Sequence, residues 1–180
     1  MPGEVFVITA PSGTGKTTLL KRLQAGDPRL GFSISFTTRP PRPREAQGKD
    51  YFFVSGEEFQ RLKERGALLE CVEQFGYEYG TSREWIDDTL GRGVDLIFDV
   101  DSRGARVLKE AFPEGTFTFI LPPDLETLER RLRGRGDMDA RELARRLDNG
   151  RAELREVYWY DYLVINDDLA EALEALRAIV

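Results

Sequence analysis

A short cluster of glycine, lysine and threonine residues near the start of the chain has the composition and spacing of a polyphosphate site. Gly13 and Gly15 permit a turn in which successive backbone N–H groups converge on one point. Lys16, directly after that turn, could reach the β- and γ-phosphates of a nucleoside triphosphate, and the Thr17 hydroxyl could ligate Mg²⁺. The pattern GxxxxGK(S/T) asks for glycine at position 10, where Ala10 stands, and its methyl group can still fit at a strand end. The expected triphosphate site is Ala10, Pro11, Ser12, Gly13, Thr14, Gly15, Lys16, Thr17 and Thr18.

The segments on either side predict how this cluster is held. The apolar run Val5–Ile8 reads as a strand, and Leu19–Leu23 reads as the first turns of a helix. A glycine-rich turn between a strand and a helix aims the positive end of the helix at the bound anion. The alternative is an ordinary strand–helix turn in which Gly, Lys and Thr occur by chance.

A second basic segment, residues 37–45, places Arg39, Arg42 and Arg44 on a loop stiffened by three prolines. Planar guanidinium groups bind phosphate oxygens in pairs, and rigid presentation lowers the entropy lost on binding. Tyr51 and Tyr79 could add hydroxyl donors to the same phosphate, or could pack in strands. The alternative for the arginines is a solvated basic loop.

Acidic residues follow the most apolar predicted strand. Asp99 and Asp101 end this run, where ligands bind in open α/β sheets. We expect Asp99 to work with Thr17 on hydrated Mg²⁺, whereas Asp101 could instead cap a helix that begins at Ser102.

Arginines crowd the region after residue 129. The i,i+4 pairs Glu129/Arg133 and Glu142/Arg146 are typical of a solvated helix face, so most of these arginines should be structural. Some should still neutralise a transferring phosphoryl group, and Gly134–Asp139 reads as a mobile loop that could close over phosphates.

Composition excludes several classes of function. The chain has 180 residues, no histidine, one cysteine and a net charge of −6. An acidic chain disfavours nucleic acid or an anionic membrane as partner, and the histidine count excludes zinc sites and nucleophile pairs that need histidine. Without an apolar run near 18 residues or a signal-like start, we expect a cytoplasmic protein with no obligate protein partner.

Short apolar runs alternate with helical patterns and predict an α/β fold with a buried parallel sheet. Asp124 and Asp168 are expected to start helices, whereas Asn149-Gly150 should bend or loosen one. Residues 50–79 break the alternation and predict a small antiparallel lobe, with a helix opened by Ser55. The predicted strands are Val5–Thr9, Phe32–Thr37, Tyr51–Val54, Ala67–Phe75, Tyr77–Tyr79, Val94–Val100, Thr116–Leu121 and Leu163–Ile165.

Taken together and in order, these motifs resemble the guanylate kinases, and the match runs nearly end to end. It is carried by residues 11–17, 32–35, 37–39, 48–51, 79–81, 99–101, 131–136 and 164–168. The resemblance implies a P-loop NTPase-like parallel β-sheet core flanked by helices, with an inserted mixed or antiparallel lobe and a helical lid. The implied single domain covers 1–180, with the core at 1–32 and 82–180, the GMP-binding lobe at about 33–81 and the lid at about 124–150.

The resemblance also implies roles for individual residues. The GMP phosphate would be held by Arg39, Arg42, Tyr51 and Tyr79. Guanine would be read by Ser35, Glu70 and Thr81, because a carboxylate accepts from guanine N1–H and N2–H₂ while a hydroxyl donates to O6. The catalytic set would be Lys16, Arg39, Arg131, Arg135 and Arg146.

The sequence leaves more than one role open for two further residues. Asn166 matches a residue near the adenine of ATP, although a turn or capping role fits it equally. Asp101 matches a residue on the GMP side whose role lies open between guanine, ribose and orienting an arginine.

The implied reaction is in-line transfer of the γ-phosphoryl group of MgATP to GMP, and to dGMP, in purine nucleotide metabolism. One rival is another nucleoside monophosphate kinase of the same fold, against which Glu70 and Ser35 argue. The other is a non-catalytic guanylate-kinase-like module that binds protein partners, and the intact Gly15, Lys16 and Thr17 argue against it.

Overall fold

A computed structural model describes residues 2–27, 29–43, 45–74, 76–134 and 139–180. Across these residues, strands and helices alternate through most of the chain, as the sequence predicts. The strands are β1 (Val5–Thr9), β2 (Leu30–Phe32), β3 (Ser35–Thr37), β4 (Phe52–Phe53), β5 (Leu68–Gln74), β6 (Tyr77–Ser82), β7 (Asp95–Asp99), β8 (Thr116–Leu121) and β9 (Tyr162–Ile165). The helices are α1 (Lys16–Gly26), α2 (Gly56–Glu64), α3 (Arg83–Gly91), α4 (Ser102–Ala111), α5 (Leu125–Arg133), α6 (Ala140–Leu154) and α7 (Leu169–Arg177), with a 3₁₀ turn at Val157–Trp159.

The larger sheet has the order β2-β7-β1-β8-β9 in the described part of the chain. β8 pairs in parallel with both β1 and β9. Every residue of β1 is buried, as are the central residues of β7 and β8, which explains their continuous apolar sequences. The predicted parallel sheet is therefore confirmed, and it directs the chain into α1 from the end of a fully buried strand.

The smaller sheet has the order β4-β3-β6-β5 among the described residues. β3 pairs in parallel with β4 and antiparallel with β6, and β6 pairs antiparallel with β5. The predicted single strand Phe32–Thr37 is wrong, since β2 and β3 are separate and belong to different sheets. The predicted strand is divided because its two halves pair with different strands, and local sequence does not encode which strands pair.

The chain divides into two compact units. One contains the residues before Val5 and Gly31–Leu96, and its core is formed by Phe59, Leu62 and Leu68. The other contains Val5–Leu30 and Ile97–Val180. The boundaries predicted for core, lobe and lid stay predictions.

Helix starts follow their sequence signals. The side chains of Ser55, Asp124 and Asp168 accept backbone N–H groups in the first turns of α2, α5 and α7. None of the helices in the described ranges combines the length and apolar character needed to cross a bilayer.

Gly150 lies within α6, which continues through it without a break. The helix is therefore not interrupted at Asn149-Gly150, and the expectation that these residues bend or loosen it stays a prediction. A Cβ added at Gly150 would lie 3.3 Å from Leu128 and 3.5 Å from Pro11, so the missing side chain allows α6 to approach α5 and the glycine-rich turn closely.

Candidate active site

The turn between β1 and α1, residues 10–15, is here called the phosphate loop. Gly13 and Gly15 have φ angles of 94° and 98°, which residues with a Cβ rarely adopt. A Cβ at Gly13 would lie 2.8 Å from the Leu132 side chain, and one at Gly15 would lie 2.6 Å from Asn166 Nδ2. Both glycines therefore serve the turn and the close approach of neighbouring side chains. Ala10 and Pro11 are buried, whereas Ser12 is exposed.

Lys16 begins α1 and is held at the carboxyl end of β7. Its Nζ lies 2.6 Å from Asp99 Oδ1 and donates to the Val100 carbonyl oxygen at 2.8 Å. The structure thus brings together the lysine and one of the two aspartates predicted from sequence.

Thr17 and Thr18 are exposed in the first turn of α1, and the Asp99 side chain is 43% exposed. Mg²⁺ takes oxygen ligands and keeps several waters, so it needs only one or two protein groups besides substrate phosphates. The Thr17 hydroxyl, which follows Lys16 in the chain, and the Asp99 carboxylate, which pairs with Lys16, are oxygen groups of this kind. Within the described ranges, no group of three or more acidic, histidine or cysteine residues forms a metal cage.

Arg131 and Asn166 both contact the backbone of the phosphate loop. Arg131 Nη1 donates to the carbonyl oxygens of Asn166 at 2.8 Å and Thr14 at 3.4 Å. Asn166 Nδ2 donates to the Thr14 carbonyl oxygen at 2.7 Å. Asp168, not Asn166, caps α7, so the capping role considered for Asn166 is wrong.

Arg146 on α6 reaches the same loop from another direction. Its Nη1 donates to Ser12 Oγ at 3.0 Å and its Nε donates to Glu142 at 2.8 Å. The pair Glu142/Arg146 therefore exists as its spacing predicts, but one of its members also touches the phosphate loop. Arg135 and the adjoining Gly136–Met138 lie outside the described residues.

The unit that contains Gly31–Leu96 holds a separate group around Arg39, a residue that is only 8% exposed. Glu45 accepts from Nη1 at 3.0 Å and from Nη2 at 2.9 Å. The Arg39 guanidinium carbon lies 5.3 Å from the Tyr51 ring centroid, and Tyr51 and Tyr79 form an edge contact at 6.0 Å. The hydrogen bonds that Arg39 makes to Glu45 and, as a smaller effect, to Tyr79 raise the pKa of Arg39.

Glu45 has a role that sequence reasoning did not assign. Besides pairing with Arg39, it accepts the backbone N–H of Arg42 at 2.7 Å, and these contacts lower the pKa of its carboxyl group. The Arg42 side chain is exposed, and Arg44 lies outside the described residues. An irregular loop has no periodic signal that would pair positions 39 and 45.

Three polar side chains predicted to read a base lie together on adjacent strands. Ser35 on β3 faces Thr81 on β6, with 3.5 Å between their hydroxyl oxygens. The Thr81 hydroxyl donates to Glu70 Oε1 at 2.8 Å. Since Thr81 is 2% exposed and Glu70 is half-buried, the carboxylate is held in a defined orientation.

Asp101 caps α4, in the unit that contains the phosphate loop. Its Oδ1 accepts from the Gly104 N–H at 2.8 Å, and Arg103 lies 3.4 Å from Oδ2. The capping alternative is therefore confirmed, and any contact of Asp101 with nucleotide stays a prediction.

Glu153, near the end of α6, is a site residue that the sequence did not reveal. Burial, followed by the negative charge of Asp101, raises its pKa from 4.5 to about 7, although Lys16 and Arg103 oppose the shift. Glu156 adds to the shift, and the buried Tyr160 lies nearby. A pKa of about 7 leaves the Glu153 carboxyl group partly protonated near neutral pH.

Glu153 should make stability fall as pH rises. Because its pKa is higher in the folded chain than in the unfolded one, its contribution is complete below about pH 4.5 and is lost as pH rises through about 7. Glu153→Gln keeps a neutral side chain at every pH, so we expect it to unfold at higher temperature than wild type at pH 8, with the difference shrinking towards pH 5. Thermal unfolding across this range tests it, with the exposed Glu110→Gln on α4 as control. A difference that is equal at both ends of the range would contradict the assignment.

Comparison with known proteins identifies the family. A family model described as guanylate kinase matches residues 3–180. The guanylate kinase of Geobacter sulfurreducens is 44% identical over 178 residues, which is 99% of this chain and 88% of that protein. The guanylate kinase of Syntrophotalea carbinolica is 47% identical over 178 residues, with 99% and 85% covered.

A solved structure supports the same family assignment. The crystal structure of guanylate kinase from Anaplasma phagocytophilum superposes with a TM-score of 0.74 at 32% identity, covering 99% of this chain and 84% of that one. With the phosphate loop, the Lys16 contacts and both sheets in place, the chain belongs to the guanylate kinase family.

Proposed function

We propose that this chain transfers the γ-phosphoryl group of MgATP to GMP or dGMP and releases ADP and GDP or dGDP. The observation that carries the proposal is the Lys16 ammonium, which follows two positive-φ glycines and lies at the end of a buried strand. This is the arrangement that a triphosphate needs, because backbone N–H groups and one cation meet at the phosphates. The family supplies the identity of the acceptor.

On the donor side, Lys16 would leave Asp99 for the β- and γ-phosphate oxygens, and Asp99 would then be available as a ligand. Thr17 and Asp99 would hold Mg²⁺ partly through water. The metal would supply positive charge that neutralises the phosphate oxygens. Arg131, Arg135 and Arg146 would add positive charge as the phosphoryl group moves.

On the acceptor side, Arg39, Arg42, Tyr51 and Tyr79 would hold the GMP phosphate. Glu45 already orients the Arg39 guanidinium, which reduces the entropy lost when the phosphate binds. The attacking oxygen is largely anionic at neutral pH, since a phosphate monoester has its second pKa near ~6. The reaction therefore needs no general base, and the chain's lack of histidine is compatible with it.

Guanine would be selected by Glu70, with Ser35 and Thr81 beside it. The Thr81 hydroxyl occupies one carboxylate oxygen and fixes its direction, so Glu70 can accept from both N–H groups of guanine. Adenine has an acceptor at N1, so at that position it offers Glu70 no N–H group. We keep the sequence-based prediction of a cytoplasmic location.

A coupled ADP-release assay with a panel of acceptors tests this function. We expect rapid turnover with GMP and dGMP, and slow turnover with AMP, CMP, UMP, dTMP or water. Preference for another monophosphate would favour the rival kinase. Failure of the chain to bind MgATP in calorimetry would revive the non-catalytic module.

A further inference from the structure

Asn166 lies between β9 and α7, and its position is fixed from two sides. Its backbone N–H donates to the Leu121 carbonyl oxygen at the end of β8, at 2.8 Å. Its carbonyl oxygen accepts from Arg131 Nη1 at 2.8 Å. Only 4% of the residue is exposed. The side chain therefore starts from a rigid anchor between adjacent strand ends.

The Asn166 side chain binds the phosphate loop. Nδ2 donates to the Thr14 carbonyl oxygen at 2.7 Å, and a Cβ at Gly15 would lie 2.6 Å from the same nitrogen. Arg131 approaches the same carbonyl at 3.4 Å. Two donors therefore converge on the peptide unit between Thr14 and Gly15.

Holding that carbonyl also sets the direction of the adjoining N–H. In a trans peptide, the C=O of Thr14 and the N–H of Gly15 point in opposite directions. When Asn166 fixes the carbonyl on its own side, the Gly15 N–H is turned to the other side. An N–H held in this way can meet a phosphate oxygen without further ordering of the loop.

We propose that Asn166 is a positioning residue for the phosphate loop and acts on every triphosphate equally, without reading adenine. This inference rests on the proposed function only in taking the loop as the donor site. It differs from the adenine contact implied by the resemblance. Asn166 Nδ2 donates to a backbone carbonyl, and alanine at position 166 would leave the Thr14 carbonyl oxygen, among the described residues, with only the longer contact from Arg131.

The test compares MgATP with magnesium tripolyphosphate, which has the three phosphates but no base. We expect Asn166→Ala to weaken binding of MgATP and of magnesium tripolyphosphate by the same factor, about tenfold, as for loss of one buried hydrogen bond. Titration calorimetry of the full chain measures both. In turnover, KM for ATP should rise, with the ratio of kcat/KM for ATP to that for CTP unchanged. Loss of ATP affinity alone, a fall in that ratio, or no change in either ligand would overturn the proposal.

Two variants separate positioning from packing. Asn166→Asp keeps the size of the side chain but replaces the N–H donor with an acceptor, so it should bind triphosphates no better than Asn166→Ala. Restored affinity in this variant would show that only packing matters. Asp167→Ala changes an exposed side chain, retains the neighbouring backbone, and should match wild type. If wild type binds ATP but does not phosphorylate GMP, the proposed function fails while this comparison stands.

Discussion

Lys16→Met should abolish phosphoryl transfer and leave GMP affinity nearly unchanged. The Lys16 ammonium is the cation that directly follows the phosphate loop, and methionine keeps most of the alkyl length without the charge. Loss of one preorganised charge contact in a transition state costs roughly 10²–10³ in kcat, and we expect at least that much. Single-turnover kinetics with MgATP, together with calorimetry of GMP, measure the two effects separately.

A lower stability of Lys16→Met should not account for its loss of phosphoryl transfer. The Lys16–Asp99 pair is partly exposed, with 17% and 43% of the two side chains accessible, so its removal should cost less than about 1 kcal/mol. Lys21→Met, at an exposed position of α1, is the matched control and should retain full activity. Substantial transfer by Lys16→Met would show that the catalytic centre is assigned to the wrong place.

Elements with strong local signals could be predicted from the sequence. β8 has the predicted bounds Thr116–Leu121, because its buried run is continuous and lies between Gly115 and Pro122, which typically end strands. The starts of α2, α5 and α7 follow from side-chain caps at Ser55, Asp124 and Asp168, which act within four residues of chain. The phosphate loop is predictable for the same reason.

Tertiary contacts account for what the sequence did not reveal. Nothing local divides β2 from β3, because the division depends on which strands they pair with. Gly150 has low helix propensity, yet α6 is continuous through it and packs closely there against Leu128 and Pro11. The Arg39–Glu45 pair and the burial of Glu153 are likewise set by folding, not by spacing.

In the candidate site, too, some features could be predicted from the sequence and others depend on tertiary contacts. Sequence motifs found Lys16 and Asp99, and the family resemblance implied the group Ser35, Glu70 and Thr81; the structure places the members of each set in contact within their respective units. Neither could show that Arg131 and Asn166 bind main-chain carbonyls, since any carbonyl, carboxylate or hydroxyl oxygen on the chain can accept from them. Their resemblance-based roles towards nucleotide stay predictions.

Glu70→Gln should remove most of the preference for guanine. Glutamine keeps the size of Glu70 and an oxygen for the Thr81 hydroxyl, but it turns an N–H₂ donor towards the N–H groups of the base. Each hydrogen bond to a charged acceptor is worth about 1.5–3 kcal/mol, so losing two should lower kcat/KM for GMP by roughly 10²–10⁴. The ratio of kcat/KM for GMP to that for AMP, measured in the coupled assay, should fall with it.

The effect of Glu70→Gln should be confined to the acceptor. MgATP affinity should be unchanged, because the donor contacts of Lys16 and Asn166 lie within the other unit. Glu73→Gln removes an exposed carboxylate from the same strand and should keep the wild-type preference, which controls for net charge. A Glu70→Gln variant that still selected GMP over AMP by the wild-type factor would mean that other groups read the base, and the acceptor assignment would have to be moved away from β5.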